Sequence, residues 1–168
     1  MVPTMPPFAF NPNVYGPAIA PLLESGRLPE LGPGSPNLAM KAALESLDLS
    51  RLCRAGLWLS HDFLDESHAI SQELETAEGS FWHAIMHRRE PDASNSKYWW
   101  RRVGPHPVLK RLISEAPSIG YNYTNPLDFV DLCERVRGTN SAEEMLARRV
   151  QILEWQLLFD HCFHLAAG

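Results

Sequence analysis

Residues 141–165 read SAEEMLARRVQILEWQLLFDHCFHL, and this run decides the fold class. Ser141 and Glu144 stand at the spacing where a cap hydroxyl and a carboxylate satisfy the first free N–H groups, so a helix opens at Ala142. Leu146, Val150, Leu153 and Leu157 then recur as one helical stripe, while Trp155, Leu158, Phe159 and Phe163 load the neighbouring faces. A helix of roughly 24 residues that is apolar nearly all round belongs at the centre of a bundle or against a second copy of the chain. A homodimer through this C-terminal helix is therefore one expectation.

The same punctuation recurs upstream. Ser35-Pro36 reads as N-cap and first position of a helix to about Leu47. From Ser50 to about Leu74, the residues Leu52, Ala55, Leu59, Phe63 and Ile70 form an apolar stripe with a break expected near residue 65. Ser80 and Ser94 read as caps of helices that end at Arg89, ahead of Pro91, and at Val103, ahead of Gly104. Pro107 to Ala116 is a short helix between prolines, and Asn125-Pro126 opens one that Gly138 closes. No strand of useful length alternates. The expected fold is all-α, a single-domain helical bundle of about seven helices over residues 36–168. Nine of the fourteen prolines lie in the first 36 residues, so 1–35 reads as an extended proline-rich N-terminal arm. One helical turn is expected near Pro17 to Leu23, with Phe8, Phe10 and Tyr15 as anchors.

The composition narrows the function classes. A chain of 168 residues with 45% apolar and 21% charged residues can bury a sizeable core as one domain. A net charge of -5 argues against a general role on nucleic acid or anionic membranes. No run approaches 18 apolar residues, and the opening Met-Val-Pro-Thr-Met-Pro-Pro lacks a basic region followed by an apolar one. The expectation is a cytoplasmic protein with no membrane partner. Cys53, Cys133 and Cys162 are odd in number and widely spaced, which suits reduced, packed thiols.

Residues 81–102 concentrate the chemistry, with three of the five tryptophans, two of the seven histidines and five of the fifteen basic residues. Aromatic rings give a rigid wall, imidazoles bind metals or move protons, and guanidinium groups fork onto carboxylates or phosphates. His83 and His87 are four apart with Glu90 at seven; His61 and His68 are seven apart with Asp65 between; His161 and His164 are three apart. Such spacings share a helix face, the geometry by which bundles gather imidazoles and carboxylates around an ion. The last pair extends an apolar stripe into a helix end and reads as structural. From Ala55 to His87 there are six acids and no Lys or Arg, whereas Arg88 to Arg111 carries seven bases and two acids. Internal charge pairing accounts for this pattern. So does a cation site in which His61, Asp65, His68 and Glu73 face His83 and His87, ringed by Arg88, Lys97, Arg101 and Arg102 to hold an anion. Ala84 stands where a zinc-peptidase helix carries its glutamate, no Gly-x-Ser-x-Gly elbow surrounds Ser67 or Ser80, and no phosphate loop occurs.

The stretch Gly79–Asp92, followed by Ser94–Gly104, resembles the central block of an uncharacterised group of bacterial and fungal proteins, WHAIMHRREPD followed by NSKYWWRRVG. The resemblance reaches back to about Asp65, leaves out the arm and the last helix, and implies no activity. A looser similarity is to the DinB-type helical bundles, which hold a metal with three histidines; the Arg-rich block and long arm depart from their pattern.

The functional expectation is a metal-assisted hydrolase or isomerase acting on a small anionic metabolite. His68, His83 and His87 bind a divalent zinc, iron or nickel ion or serve as acid and base, and Glu90 and Asp92 orient them. Arg88, Lys97, Tyr98, Trp99, Arg101 and Arg102 form the substrate side. Adjacent helical side chains diverge by about 100°, so one of Arg101 and Arg102 is expected inward, forked onto Glu90, Asp92 or an anion. The alternative is a non-enzymatic module whose basic-aromatic block binds a protein or, less compatibly with the net charge, single-stranded nucleic acid.

Overall fold

Short polar side chains that accept the first free N–H groups set most helix starts in this chain. The computed structural model describes residues 6–24 and 26–167, without the side chains of 166 and 167. Residues 1–5 and 25 of the proline-rich segment lie outside the described part. Nine α-helices occur among the described residues: α1 (Ala20–Leu23), α2 (Lys41–Ser46), α3 (Arg51–Ser60), α4 (Leu64–Ser71), α5 (Ala77–Arg89), α6 (Ala93–Val103), α7 (Pro107–Glu115), α8 (Pro126–Val136) and α9 (Ala142–Ala167). No strand is present among them, and no helix is long and apolar enough to cross a membrane.

The all-helical class is as expected, and the count of about seven is corrected to nine. One extra helix is α1. The other arises because the 50–74 stretch divides at Asp62, whose φ of 66° is left-handed, a conformation its short polar side chain tolerates. Ser35-Pro36 opens no α-helix; residues Leu38–Met40 form a tighter 3-10 turn before α2. Asn125 caps as read, accepting from Asp128 N, and Ser50, at the start of the 50–74 stripe, caps α3 by accepting from Cys53 N. Two caps sit earlier than read. Thr76, not Ser80, opens α5, and Asp92, not Ser94, opens α6 by accepting from Asn95 N. Ser141 accepts from Glu144 N at 3.1 Å, while the Glu144 carboxylate returns to Gly138 N and Asn140 N.

Helix α5 is the buried centre, with every residue from Gly79 to Arg89 out of solvent. It packs against α3, α4 and α6, and α9 closes the body over α3, α7 and α8. Gly56 on α3 makes room for the Trp82 ring, which a Cβ there would meet at 2.6 Å, and the Gly56 carbonyl accepts from Trp155 Nε1 at 2.7 Å. Ser67 Oγ donates to Ala55 O at 2.8 Å and Ser96 Oγ to Ala84 O at 2.7 Å, which dock α4 on α3 and α6 on α5.

The segment ahead of α2 contains a 3-10 turn at Pro12–Tyr15 and helix α1, joined by extended backbone. Extended, proline-rich backbone leaves its carbonyls without internal partners. Side chains of the body supply them: Arg148 donates to Leu28 O and Pro29 O, Gln151 to Glu30 O, Arg137 to Leu31 O, and Arg89 to Gly32 O. Tyr15 is buried against Phe159 and Phe163 and donates to Asp160 Oδ1 at 2.7 Å; Phe8 and Phe10 are half-buried on the core.

Arg88 and Glu154 are both fully buried, joined by two hydrogen bonds of 3.0 and 2.6 Å, with Gln151 Oε1 as a third acceptor. Removing one member strands the other charge. Arg88→Met is expected to lower the unfolding free energy by about 3–5 kcal/mol in urea titrations. Arg88→Met combined with Glu154→Leu is expected to recover most of that loss, and a double variant no more stable than the single would contradict the assignment.

Candidate metal centre

Two helices bring the central imidazoles together, and a third walls them on one side. Ser67 turns inward to Ala55 O, so the next residue of α4, His68, swings round toward α5. His83 and His87 lie one turn apart on α5, with parallel rings 4.8 Å apart between centroids. The His68 ring stands 4.8 Å from that of His83 and 5.3 Å from that of His87. One donor nitrogen from each of the three lies within 4.8 Å of the other two. Tetrahedral ligands at about 2.05 Å from an ion are about 3.3 Å apart, so small side-chain adjustments close this group onto a metal.

The electrostatics suit a cation. His83 is 3% exposed, and its Nδ1 is buried without a hydrogen-bond partner. Burial, with the neighbouring His87 and His68, holds its pKa down at about 3, so the ring is neutral at physiological pH and keeps a lone pair. His87 Nδ1 pairs with Glu90 Oε1 at 2.8 Å, which makes Nδ1 the hydrogen-bearing nitrogen and leaves Nε2 as the ligand. Trp99 of α6 lies face to face on His83, 3.9 Å between centroids, and walls off that side. Asp92 also lies near His87 and Glu90, but its oxygens cap α6 by accepting from Asn95 N and Nδ2.

Of the wider cation group read from the sequence, His68, His83 and His87 converge and the rest go elsewhere. His61 bonds Leu22 O through Nε2 at 2.8 Å and Asn37 through Nδ1, tying the arm to the end of α3. Glu73 pairs with Arg51, and Asp65 lines a separate cleft of about 460 Å³ with Glu66 and Glu90. His164 is bonded to its own helix through Asp160 O.

The substrate-side residues separate likewise. Arg88, read as an anion contact, has its guanidinium fully buried on Glu154 and over the Phe129 ring. Lys97 pairs with Asp131 at 2.6 Å. The expected inward fork of Arg101 or Arg102 is absent among the described residues: both are exposed, because Ser96, Trp100 and Val103 occupy the buried face of α6. Arg102 instead stacks over Trp99 and Tyr98, at 5.4 and 5.9 Å. It borders a cleft of about 210 Å³ with Gln72, Thr76, Ser80 and Trp99.

A second group went unread in the sequence: Glu78, His106 and His161, from three distant parts of the chain. His106 lies between two prolines, and no spacing signals its partners. No protein-family model matches the chain, and neither a curated protein nor a solved structure does.

Because folding holds His83 neutral, the unfolded chain binds a proton that the native state refuses between about pH 6.5 and 3. Stability of the metal-free protein is expected to fall as pH drops through that window. His83→Gln is expected to flatten this part of the profile in urea midpoints measured from pH 7.5 to 4.5, and identical profiles for variant and wild type would refute the burial argument.

Proposed function

We propose that His68, His83 and His87 bind one divalent metal ion and that the protein is a metal-assisted hydrolase of a small anionic metabolite. Two observations carry this reading: one nitrogen from each of the three imidazoles lies within 4.8 Å of the other two, and His83 Nδ1 is buried with no partner in the protein. A buried polar atom of that kind costs about 1–3 kcal/mol unless something satisfies it. An all-imidazole set suits zinc, iron or nickel, and three protein ligands leave positions open for water and substrate. When bound, such an ion lowers the pKa of its water toward about 7 and supplies a hydroxide nucleophile.

The chain's own residues do the rest. Glu90 fixes the His87 tautomer and so aims Nε2 at the ion's position. Trp99 excludes solvent from one face of His83, and Arg102, stacked over Trp99, is the cation placed to meet a carboxylate or phosphate. An isomerase would use the same ion to polarise a carbonyl. The exposed Tyr98, Arg101 and Arg102 favour the other class, a module that binds a partner through this surface.

Metal content separates the two classes. Protein purified without a histidine tag is expected to carry close to one zinc, iron or nickel per chain, and His83→Ala to carry none. At a hundredfold excess over Kd, the metal is expected to stabilise the stripped protein by about 2.7 kcal/mol, raising Tm by about 5 to 10 °C. A wild-type Tm unmoved by all three ions would overturn the enzyme reading in favour of the interaction module.

A further inference from the structure

At the N-terminal end of α5, one carboxylate oxygen holds two histidines. Glu78 Oε1 accepts from Nε2 of His106, the N-cap of α7, and from Nε2 of His161 on α9, both at 3.0 Å. Two imidazoles and a carboxylate are also a metal-ligand set, but a backbone bond decides between the two uses. His106 Nδ1 accepts the N–H of Val108 at 3.1 Å, so the hydrogen of the neutral ring sits on Nε2 and points at Glu78. A metal at that nitrogen would require an imidazolate. The group is therefore hydrogen-bonded, with Glu78 ionised: burial pushes its carboxyl up, but the bonds from His106, its own backbone and His161 bring it below the usual carboxylate range.

The two histidines differ in access. The His106 side chain is 3% exposed and His161 is 27% exposed. His161 borders a cleft of about 510 Å³ whose walls are largely apolar, with Phe8, Val108, Leu157 and Leu165 among them. With Nε2–H given to Glu78, Nδ1 is its proton acceptor, and it makes no hydrogen bond among the described residues. Besides His161, the cleft's charged or titratable groups are Arg111 from α7 and Asp160 and His164 from α9. Asp160 is occupied by the Tyr15 hydroxyl, and Glu115 holds Arg111 through Nε at 3.0 Å. Arg111 also donates to Pro6 O at 3.2 Å, so His161 Nδ1 is the polar atom the cleft leaves for a ligand, opposite a largely apolar wall.

We propose that this cleft is a second, metal-free binding site for a small carboxylate with an apolar body, and that His161 takes up a proton as the ligand binds. One proton passes from solvent to Nδ1, and no other bond forms or breaks. The resulting imidazolium lies between two anions, donating through Nε2 to Glu78 and through Nδ1 to the ligand carboxylate, while the apolar body fills the space against Leu157 and Phe8. Glu78 is the positioning residue, and His106 fixes Glu78 in turn.

Calorimetric titration of the full chain with octanoate at pH 8, in two buffers of different ionisation enthalpy, tests this. The expected result is saturable one-to-one binding with proton uptake approaching one per ligand, and at least tenfold weaker binding for octanol. His161→Gln is expected to lose tenfold or more in affinity together with the proton uptake, and His83→Ala to bind as wild type. Nitrogen NMR of wild-type protein provides a check independent of any variant, since octanoate should convert the His161 signals to those of an imidazolium. Absence of saturable binding, uptake near zero, equal affinity in His161→Gln, or a His161 ring that stays neutral would each overturn the proposal.

Discussion

Helix α5 has no face to water, and the rest of the structure follows from satisfying its polar side chains. Arg88 and Arg89 are neighbours whose directions diverge by about 100°. Arg88 forks onto Glu154 of α9, while Arg89 reaches Asp62, Leu59 O and Gly32 O at the corner between α3 and α4. Both guanidinium groups are buried, and an unpaired buried charge is far costlier than a misplaced apolar group. Only one rotation of α5 satisfies both at once. In that rotation His83 and His87 face α4, where His68 meets them.

The same rule accounts for the N-terminal segment. Beyond its 3-10 turn and α1 the backbone is extended, and carbonyls there are satisfied from outside, chiefly by Arg89, Arg137 and Arg148. Gly34, at φ 68°, passes so close to the Asp62 carboxylate that a Cβ there would stand 2.6 Å from it. The carboxylate that receives Arg89 is therefore enclosed by the segment, and Arg27 of the segment pairs with it as well. Segment and body share one ion-pair network.

How much could be read from the sequence depended on how local the deciding interaction was. The α9 capping box, the Asn125 cap and the one-turn spacing of His83 and His87 are determined within a few residues, and all were legible. The approach of His68 could be anticipated because α4 immediately precedes α5. Arg88 could not be placed, since its partner Glu154 lies 66 residues away and an arginine in a basic run looks solvated. The Glu78, His106 and His161 group failed for the same reason. Thr76 and Asp92 prevailed over Ser80 and Ser94 as caps because tertiary packing carries Ser80 into the buried body of α5 and leaves Ser94 exposed in the first turn of α6. Periodicity names a face, and only packing names what the face meets.

The proposed ligands are the three clustered histidines, His68, His83 and His87. X-ray absorption at the zinc edge of the zinc-loaded, untagged protein tests this assignment most directly. The expected result is a shell at about 2.0 to 2.1 Å with three imidazoles and at least one oxygen, the imidazole scattering falling away in His83→Ala. A shell of oxygens alone, or an imidazole signal unchanged by that substitution, would contradict it.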